Sequence, residues 1–213
     1  MDQKFKDRAD AAKKLAIYLS EYKSKNPLVL AIPRGGVEIG YELARFLQCD
    51  FSIIISRKLP LPYNPEAGFG AIAEDGSTFI FDDIANRLDQ NEINQIKQNQ
   101  QKEISRRKIV LRKNKPLPKI KDRTVILTDD GIAMGSTMRA TIEMIKKKGP
   151  EKIVVAVPVA GPRVAKEIDH LVNQTVILSS PSYFRAVAQV YENWYDVSDE
   201  EVISIMKKAK NKI

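Results

Sequence analysis

Two adjacent carboxylates, Asp129 and Asp130, follow a short apolar run and are the first candidates for chemistry. They lie in the stretch VILTDDGIAMGST, residues 125–137. Neighbouring like charges repel each other unless a partner donates hydrogen bonds or supplies positive charge. Two vicinal hydroxyls of a ribose would each donate to one carboxylate, and Mg²⁺, bound directly or through water, would also satisfy the pair. The pair therefore predicts a diol site or a magnesium site.

The residues that follow the two acids suit an anion. Gly131 and Gly135 permit tight backbone geometry, and Ser136 and Thr137 add hydroxyl groups. A helix is expected over residues 136–148, so its first N–H groups and the positive end of its dipole would face this loop. A pair of acids alone would also fit an ordinary turn. Together with the loop and the helix, the pair predicts a site for a ribose 5-phosphate.

Short apolar runs alternate with helical patterns, which predicts an α/β fold: a doubly wound, mostly parallel five-stranded sheet flanked by helices. In such sheets ligands bind at the carboxyl ends of the strands, near the topological switch point, which is where the two acids fall. The predicted strands are 28–33, 51–55, 124–128, 152–159 and 174–178. The predicted helices are 4–22, 37–47, 136–148, 161–171 and 198–210. Ser198 and Glu201 have the spacing of a capping box for the last helix.

The 213 residues are expected to form a single domain with an insertion at about 57–123. The insertion would contain a flexible loop, a hairpin and a long helix. Residues 57–68 are predicted as the loop because they include three prolines, and residues 69–81 as the hairpin. Residues 82–113 lack proline and glycine and predict one or two helices. A small hood and a C-terminal helix are expected at about 179–213.

The net charge of +8 is unevenly distributed. Residues 97–123 contain eleven of the 35 basic residues and only two of the 27 acidic ones, so the rest of the chain is nearly balanced. Such a segment fits a solvated helix face followed by a linker. It also fits an electrostatic surface for nucleic acid or a polyphosphate ligand. The sequence leaves both interpretations open.

The sequence also bears on location. It has no apolar run of about 18 residues, so neither a membrane span nor a membrane partner is expected. The first twenty residues lack the apolar stretch of a signal peptide. Cys49 is the single cysteine, which excludes an internal disulfide and a cysteine cluster for zinc. We therefore predict a cytoplasmic protein.

The stretch VILTDDGIAMGST resembles the phosphoribosyl-pyrophosphate (PRPP) binding motif of type I phosphoribosyltransferases (PRTases). In that family two acids bind the ribose hydroxyls and the loop after them binds the 5-phosphate. Gly131 stands where a larger apolar residue is common, and Met134 stands where a threonine is usual. The resemblance assigns PRPP binding to Arg34, Gly35, Asp129, Asp130, Gly131, Ala133, Met134, Gly135, Ser136 and Thr137.

Two further motifs share this resemblance. IPRGG, residues 32–36, lies where the family places its pyrophosphate loop, in which a strained peptide presents N–H groups to the ligand. SRKLPLP, residues 56–62, is similar to a segment of adenine phosphoribosyltransferases whose basic side chains reach the same ligand. A plain turn and ordinary surface charge are the alternative interpretations. The resemblance makes Arg57, Lys58, Asp129 and Asp130 the catalytic candidates.

The resemblance covers nearly the whole chain and extends to a subgroup of predicted phosphoribosyltransferases. It implies that the 5-phosphoribosyl group of PRPP passes to a nitrogenous acceptor, a nucleobase, with release of pyrophosphate, in nucleotide metabolism. It also implies Mg²⁺, held by Asp129 and Asp130, and a homodimer. Ala133 stands where the 6-oxopurine branch has an aspartate, which argues against hypoxanthine or guanine. Aromatic residues of the hood would contact the acceptor: Tyr183, Phe184 and Trp194.

Two other functions remain open from the sequence. Several relatives of this family sense PRPP while binding RNA or DNA, and the basic segment 97–123 would serve that role. A receiver-like or nucleotide-binding α/β protein could instead hold a metal at Asp129 and Asp130. The chain lacks both the G-x-x-x-x-G-K-[ST] loop and the G-x-G-x-x-G turn, which disfavours common nucleotide-binding folds.

Overall fold

The apolar runs of the sequence become the strands of two sheets in the computed structural model, which describes residues 4–210. The strands are β1 (Leu28–Ala31), β2 (Asp50–Ile53), β3 (Ser56–Leu61), β4 (Asn64–Ala73), β5 (Thr78–Ile80), β6 (Thr124–Thr128), β7 (Lys152–Val159) and β8 (Gln174–Ser179). The helices are α1 (Arg8–Tyr18), α2 (Gly36–Leu47), α3 (Asp82–Ala85), α4 (Gln90–Arg112), α5 (Ser136–Lys146), α6 (Pro162–Asp169) and α7 (Asp199–Lys210).

The larger sheet has five strands in the order β2-β1-β6-β7-β8. All four neighbouring pairs are parallel, with Leu28 opposite Val125 and Val125 opposite Ile153. The chain moves outward in one direction from β1 to β2 and in the other from β6 to β8. The switch point therefore lies between β1 and β6. The predicted doubly wound, five-stranded sheet is confirmed.

Both faces of this sheet are covered, which explains why its strands read as continuous apolar runs. Alternate residues of β1 point to opposite faces, so Leu28 and Leu30 pack with α5 and α6, whereas Val29 packs with α1 and α2. All three side chains are fully buried. This burial fixes the register of the strands, and thereby the positions of the loops at their carboxyl ends.

The second sheet corrects the prediction of a loop over residues 57–68. Strands β3, β4 and β5 form an antiparallel sheet that packs against α4 and α5. Pro60 is accommodated because the pairing register shifts on both sides of it, and prolines are tolerated at such bulges. The predicted hairpin corresponds to β4 and β5. The long helix of the insertion is α4, with 23 residues.

The helix ends differ slightly from the predicted ones. The first helix begins at Arg8 rather than residue 4, because Asp7 caps it by accepting a hydrogen bond from the N–H of Asp10. The capping box of α7 is confirmed: Ser198 accepts from the N–H of Glu201, and Glu201 accepts from the N–H of Ser198. Within residues 4–210, no helix has both the length and the apolar character needed to cross a membrane.

Candidate functional site

The candidate site lies where β1 and β6, the two strands beside the switch point, end. The loop after β1 contains Arg34 and Gly35, preceded by a cis peptide bond between Pro33 and Arg34. The loop after β6 begins with Asp129 and Asp130. A side chain at Gly35 would overlap the carboxylate of Asp130, so only glycine permits this contact. The fold thus brings two motifs together that are almost a hundred residues apart in sequence.

The second loop has the backbone geometry of an anion site. Gly135 has a φ of 77°, which glycine adopts without strain, and directly precedes α5. The first N–H groups of α5 have no partner within the helix. Within the described residues, no hydrogen bond occupies the hydroxyl of Ser136 or Thr137. The loop borders a cavity of about 220 Å³, which is lined by Lys58, Glu66, Gly68, Asp129, residues 131–138 and Val187.

The structure explains why residue 131 is a glycine, although the family that the sequence resembles commonly has a larger residue there. A Cβ atom at this position would lie 2.7 Å from a methyl carbon of Val159 and 2.7 Å from one of Val187. The side chain of Val187 comes from the hood and occupies the space that a side chain at Gly131 would need. Met134 is half exposed at the mouth of the loop, and Ala133 is exposed.

Asp129 faces the cavity. One of its oxygens, Oδ1, accepts a hydrogen bond from the N–H of Asp130 at 2.8 Å. Burial, and then the neighbouring charge of Asp130, raise the pKa of Asp129 well above its ordinary value. A cation at this carboxylate would relieve both effects. Within residues 4–210 no group of three or more metal-binding side chains occurs. The adjacent carboxylates of Asp129 and Asp130 are a donor set that fits Mg²⁺ held by one or two carboxylates, water and a ligand's phosphates.

Asp130 has different surroundings. Its carboxylate is not part of the cavity lining and forms an ion pair with Arg8 at 2.9 Å. Burial raises the pKa of Asp130, and the charge of Arg8 partly offsets this effect. The two acids, which the sequence assigned to a single role, therefore face different neighbours. Arg8 lies 122 positions away in the chain, and no sequence pattern marked it.

The predicted pair Arg57 and Lys58 is split because successive residues of a strand point to opposite faces. Lys58 lines the cavity beside the phosphate loop, and its ammonium donates to the carbonyl of Glu66. Arg57 donates from Nε to the side chain of Gln100 on α4 at 3.0 Å. Burial, and then the nearby charge of Arg107, lower the pKa of Arg57.

Arg34 lies on the same side of β3 as Arg57. Its guanidinium is 3.6 Å from Oδ1 of Asp199, the first residue of α7. Within the described residues, that oxygen is buried and makes no hydrogen bond. The other oxygen of Asp199 accepts from Arg106 at 3.1 Å. Arg34 and Arg57 thus lie among further arginines of α4, in a region next to the loop after β1 where arginines outnumber the acids Glu103 and Asp199.

The three aromatic candidates for acceptor binding do not line the cavity. Tyr183 is 93% exposed. Phe184 packs against the buried cluster that includes Phe5 and Val159. Trp194 stacks on the guanidinium of Arg8, with its ring centroid 4.2 Å from Cζ. Val187 is the hood residue at the cavity. Sequence reasoning missed it because a valine in a 3-10 turn as short as Val187–Val190 has no periodic pattern to mark it.

The fold and these two loops define an α/β protein in which a glycine-containing loop and a helix start lie at the switch point of a parallel sheet. Residues 3–193 match the family model described as "Phosphoribosyl transferase domain". The chain therefore belongs to the phosphoribosyl transferase family. Its five-stranded sheet with flanking helices is the type I PRTase fold.

Similar proteins agree with this assignment. A structure of TT1426 from Thermus thermophilus is 33% identical, with a TM-score of 0.80, and the match covers 97% of this chain and 99% of that one. A purine phosphoribosyltransferase from Pyrococcus horikoshii is 17% identical, with a TM-score of 0.50, and the match covers 93% of this chain and 99% of that one; this likeness concerns the fold alone.

Two Mycobacterium tuberculosis proteins, from strains CDC 1551 and H37Rv, are each 34% identical over 207 residues. Their names assign them provisionally to the phosphoribosyl transferases. The match covers 96% of this chain but 47% of each relative, so the chain spans about half the length of the curated relatives it matches.

Proposed function

We propose that the protein binds PRPP with Mg²⁺ and transfers its 5-phosphoribosyl group to a nitrogenous acceptor, a nucleobase, releasing pyrophosphate. The observation that carries the proposal is the meeting of the two loops at the switch point. An anion-binding helix start, an acidic pair and the loop with Arg34 lie side by side there. A ligand with a phosphate, a ribose diol and a pyrophosphate has matching groups in the same order.

The chemistry requires that the bond from C1 of the ribose to pyrophosphate breaks while a bond from C1 to the acceptor nitrogen forms. The acceptor nitrogen loses its proton. The protein's main task is to hold the ribose and to stabilise the charge that develops on pyrophosphate. The start of α5 with Ser136 and Thr137 would hold the 5-phosphate. Lys58 at the cavity and Arg34 in the loop after β1 would face the departing negative charge, since arginine suits bidentate phosphate contacts. Arg57, on the opposite face of β3, would add only to the positive potential around that loop.

Asp129 would hold Mg²⁺, directly or through water, with Asp130 as its neighbour. When bound, the ion would neutralise pyrophosphate charge. The raised pKa of Asp129 supports this role, because an unpartnered charge there is unfavourable.

The acceptor stays the least defined part. The absence of an acidic side chain at Ala133 supports a base other than hypoxanthine or guanine. The surroundings of Tyr183, Phe184 and Trp194 give no support for direct stacking on an acceptor in this conformation. Glu66 and Val187, which line the cavity, are better placed to meet it. Cytoplasmic location remains a prediction from the sequence, and a homodimer remains an implication of the family resemblance.

Calorimetry and a pyrophosphate-release assay test the proposal. The protein is titrated with PRPP in the presence of Mg²⁺ and then incubated with PRPP and a panel of nucleobases and amines. We expect saturable PRPP binding and pyrophosphate release with at least one acceptor. Absence of PRPP binding would contradict the site assignment. PRPP binding without turnover by any acceptor would contradict the enzyme and favour a regulator.

A PRPP-sensing regulator that binds RNA or DNA is the second candidate, and a separate surface favours it. Seven lysines line two adjoining cavities of about 500 and 640 Å³ at the amino ends of the parallel strands. Within residues 4–210, none of the seven makes an ion pair. The two acids there are paired with arginines, Asp50 with Arg123 and Glu74 with Arg112. This lysine surface consists of Lys108, Lys113, Lys115, Lys119, Lys121, Lys148 and Lys207.

Salt dependence tests this candidate. Binding of a single-stranded RNA of about twenty nucleotides is measured from low to moderate salt. Replacing four lysines by glutamine, at positions 113, 115, 119 and 121, should reduce the slope of log K against log salt by about 3, at roughly 0.7 per phosphate contact. A negligible signal at low salt would remove the regulator.

A further inference from the structure

Arg8 is a buried cation at a place where its own helix disfavours it. It is the first residue of α1 and is 3% exposed. The N-terminal end of a helix carries partial positive charge, so cations are unfavourable in the first turn. Asp7 already caps this helix, and Asp10 adds negative charge to its first turn. The secondary structure therefore gives no reason for an arginine here, and the reason must lie in its tertiary contacts.

Those contacts converge on the candidate site. Nε and Nη2 of Arg8 both donate to the same oxygen of Asp130, Oδ2, at 3.0 and 2.9 Å. Nη1 donates to the carbonyl of Tyr195 at 3.0 Å and to Glu38 at 3.4 Å. Although burial works against its charge, these carboxylates raise the pKa of Arg8. All three nitrogens of the side chain are thus engaged.

This arrangement fixes one side of the Asp130 carboxylate and leaves the other side without a partner. Oδ2 is held by Arg8 and lies against Gly35. Apart from the adjacent carboxyl group of Asp129, no residue between 4 and 210 donates a hydrogen bond to Oδ1. The hydroxyl of Tyr191 donates to the backbone carbonyl of Asp130 at 2.7 Å, so the main chain is held as well. Asp130 therefore has one carboxylate oxygen, Oδ1, available to a ligand beside Asp129, and Arg8 fixes its orientation by holding Oδ2.

We propose that Arg8 is a positioning residue, which holds Asp130 so that its second carboxylate oxygen accepts a hydrogen bond from one ribose hydroxyl of the ligand. The inference rests on the proposed function, since it presumes a ribose phosphate in this site. It adds a residue from α1 to the machinery, together with a specificity role: recognition of one hydroxyl of the sugar.

The geometry favours arginine over lysine at this position. A planar guanidinium can hold one oxygen with two parallel N–H groups while its face stacks on a ring. Here the face lies 4.2 Å from the centroid of Trp194, which is the single tryptophan of the chain. The ammonium of a lysine would keep the charge but could not reproduce the double contact. Because Arg8 contacts both Asp130 and Trp194, the fluorescence of Trp194 should report on the proposed ribose site.

The test compares four ligands on four forms of the protein. The ligands are ribose 5-phosphate, 2-deoxyribose 5-phosphate, 3-deoxyribose 5-phosphate and inorganic phosphate. The proteins are the wild type, Arg8→Gln, Arg8→Lys and a control, Arg123→Gln. Arg123 also makes several hydrogen bonds, to Asn26, Pro27 and Asp50, but at the amino ends of the strands.

We expect Arg8→Gln to weaken binding of ribose 5-phosphate about tenfold, the usual effect of one hydrogen bond to a charged group. One deoxy analogue lacks the hydroxyl that Asp130 contacts, and its affinity should fall less than about twofold. The affinity for inorganic phosphate should not change. Arg8→Lys should recover part of the loss. Arg123→Gln should leave all four affinities unchanged even if it lowers stability.

Equal losses for every ligand, or no loss for any, would overturn the positioning role. If the wild type binds PRPP and ribose 5-phosphate and Arg8→Gln binds them equally well, only this inference is overturned. A wild type that binds neither overturns the proposed function itself.

A second measurement needs no variant and covers the case in which Arg8→Gln fails to fold. Ribose 5-phosphate should change the emission of Trp194 in the wild type, whereas inorganic phosphate should not, because only the sugar contacts Asp130. Identical emission with both ligands, each at saturation, would contradict the connection through Arg8.

Discussion

At the carboxyl ends of the parallel strands four arginines contact acids, whereas at the amino ends seven lysines have no acidic partner within residues 4–210. Arg8 pairs with Asp130, and Arg34 and Arg106 both reach Asp199. The lysine surface at the other end contains only acids already bound to arginines. We call these the carboxyl edge and the amino edge. The first holds its charges in fixed positions, and the second leaves them mobile in solvent.

The difference shows that the basic segment 97–123 is not one surface. Arg106 and Arg107 both bind Glu103, and Arg106 also contacts Asp199, which reaches Arg34. The lysines from position 108 onward belong to the amino edge. Fixed charges suit recognition of one ligand in one orientation, whereas mobile lysines suit a polyanion without defined geometry. Four predictions, from the largest expected effect to the smallest, test this division.

The double variant Asp129→Asn with Asp130→Asn should abolish PRPP binding. It removes both negative charges, which on the proposed function strengthen the hydrogen bonds from the ribose hydroxyls and hold Mg²⁺. Titration calorimetry with PRPP and Mg²⁺ measures the effect. Asp50→Asn is the matched control, because Asp50 stands at the amino edge, and it should bind PRPP like the wild type. Persistent binding by the double variant would show that the site lies elsewhere.

Gly131→Ala should destabilise the protein by about 1–3 kcal/mol, the usual cost of overpacking. The added methyl would lie 2.7 Å from carbons of Val159 and Val187. Gly161→Ala is the control, because its methyl would lie 3.6 Å from the nearest carbon, on Phe184. Urea unfolding measures both. Equal stabilities of the two variants would mean that the hood does not pack tightly on the loop after β6.

Lys58→Gln should weaken PRPP binding about tenfold, because a charged hydrogen bond contributes about 1.5 kcal/mol or more. Lys119→Gln removes the same charge from the amino edge and should leave PRPP affinity within about twofold, since charges beyond a Debye length are screened. Calorimetry at physiological salt compares them. If both variants lose the same affinity, net charge rather than position determines binding, and the comparison of the edges fails.

Glu103→Gln should lower stability by about 0.5–1 kcal/mol at pH 7, in the range of partly exposed ion pairs. Hydrogen bonds from Arg106 and Arg107 lower the pKa of Glu103 to about 2. A lowered carboxyl pKa stabilises the fold above the ordinary value near 4.5, and the benefit disappears as pH falls through about 2. Urea unfolding from pH 7 to pH 3 should show the difference in stability between the two proteins narrowing below about pH 4.5. A constant difference would contradict the linkage.

Much of the fold could be predicted from the sequence because the patterns that determine it are local. Continuous apolar runs identified all five strands of the parallel sheet, since strands buried on both faces are made almost entirely of apolar residues. Turn and cap residues such as Ser198 identified helix ends. The prediction failed at residues 57–68, where a register shift around Pro60 allows a strand that proline would otherwise interrupt.

The candidate site could be predicted from the sequence only in part. The sequence placed Asp129 and the loop up to Thr137 beside each other because they are consecutive. It assigned Asp130 the same surroundings as Asp129, which the contacts with Arg8 do not support. It also treated Trp194 as an acceptor contact, although its ring stacks on Arg8 in the folded chain. Contacts between residues so far apart in sequence leave no periodicity and no spacing to detect.

The sequence by itself determined the parallel sheet, the position of the acidic pair at a strand end and the glycine-containing loop that leads from it into α5. Each of these depends on neighbouring residues and on backbone preferences that act over a few positions. Only the tertiary structure decided which partner each acid has, which face of β3 carries Lys58, and which end of the sheet carries the lysine surface. Those outcomes depend on how α1, α4 and the hood pack on the sheet, and packing joins residues that the chain itself keeps apart.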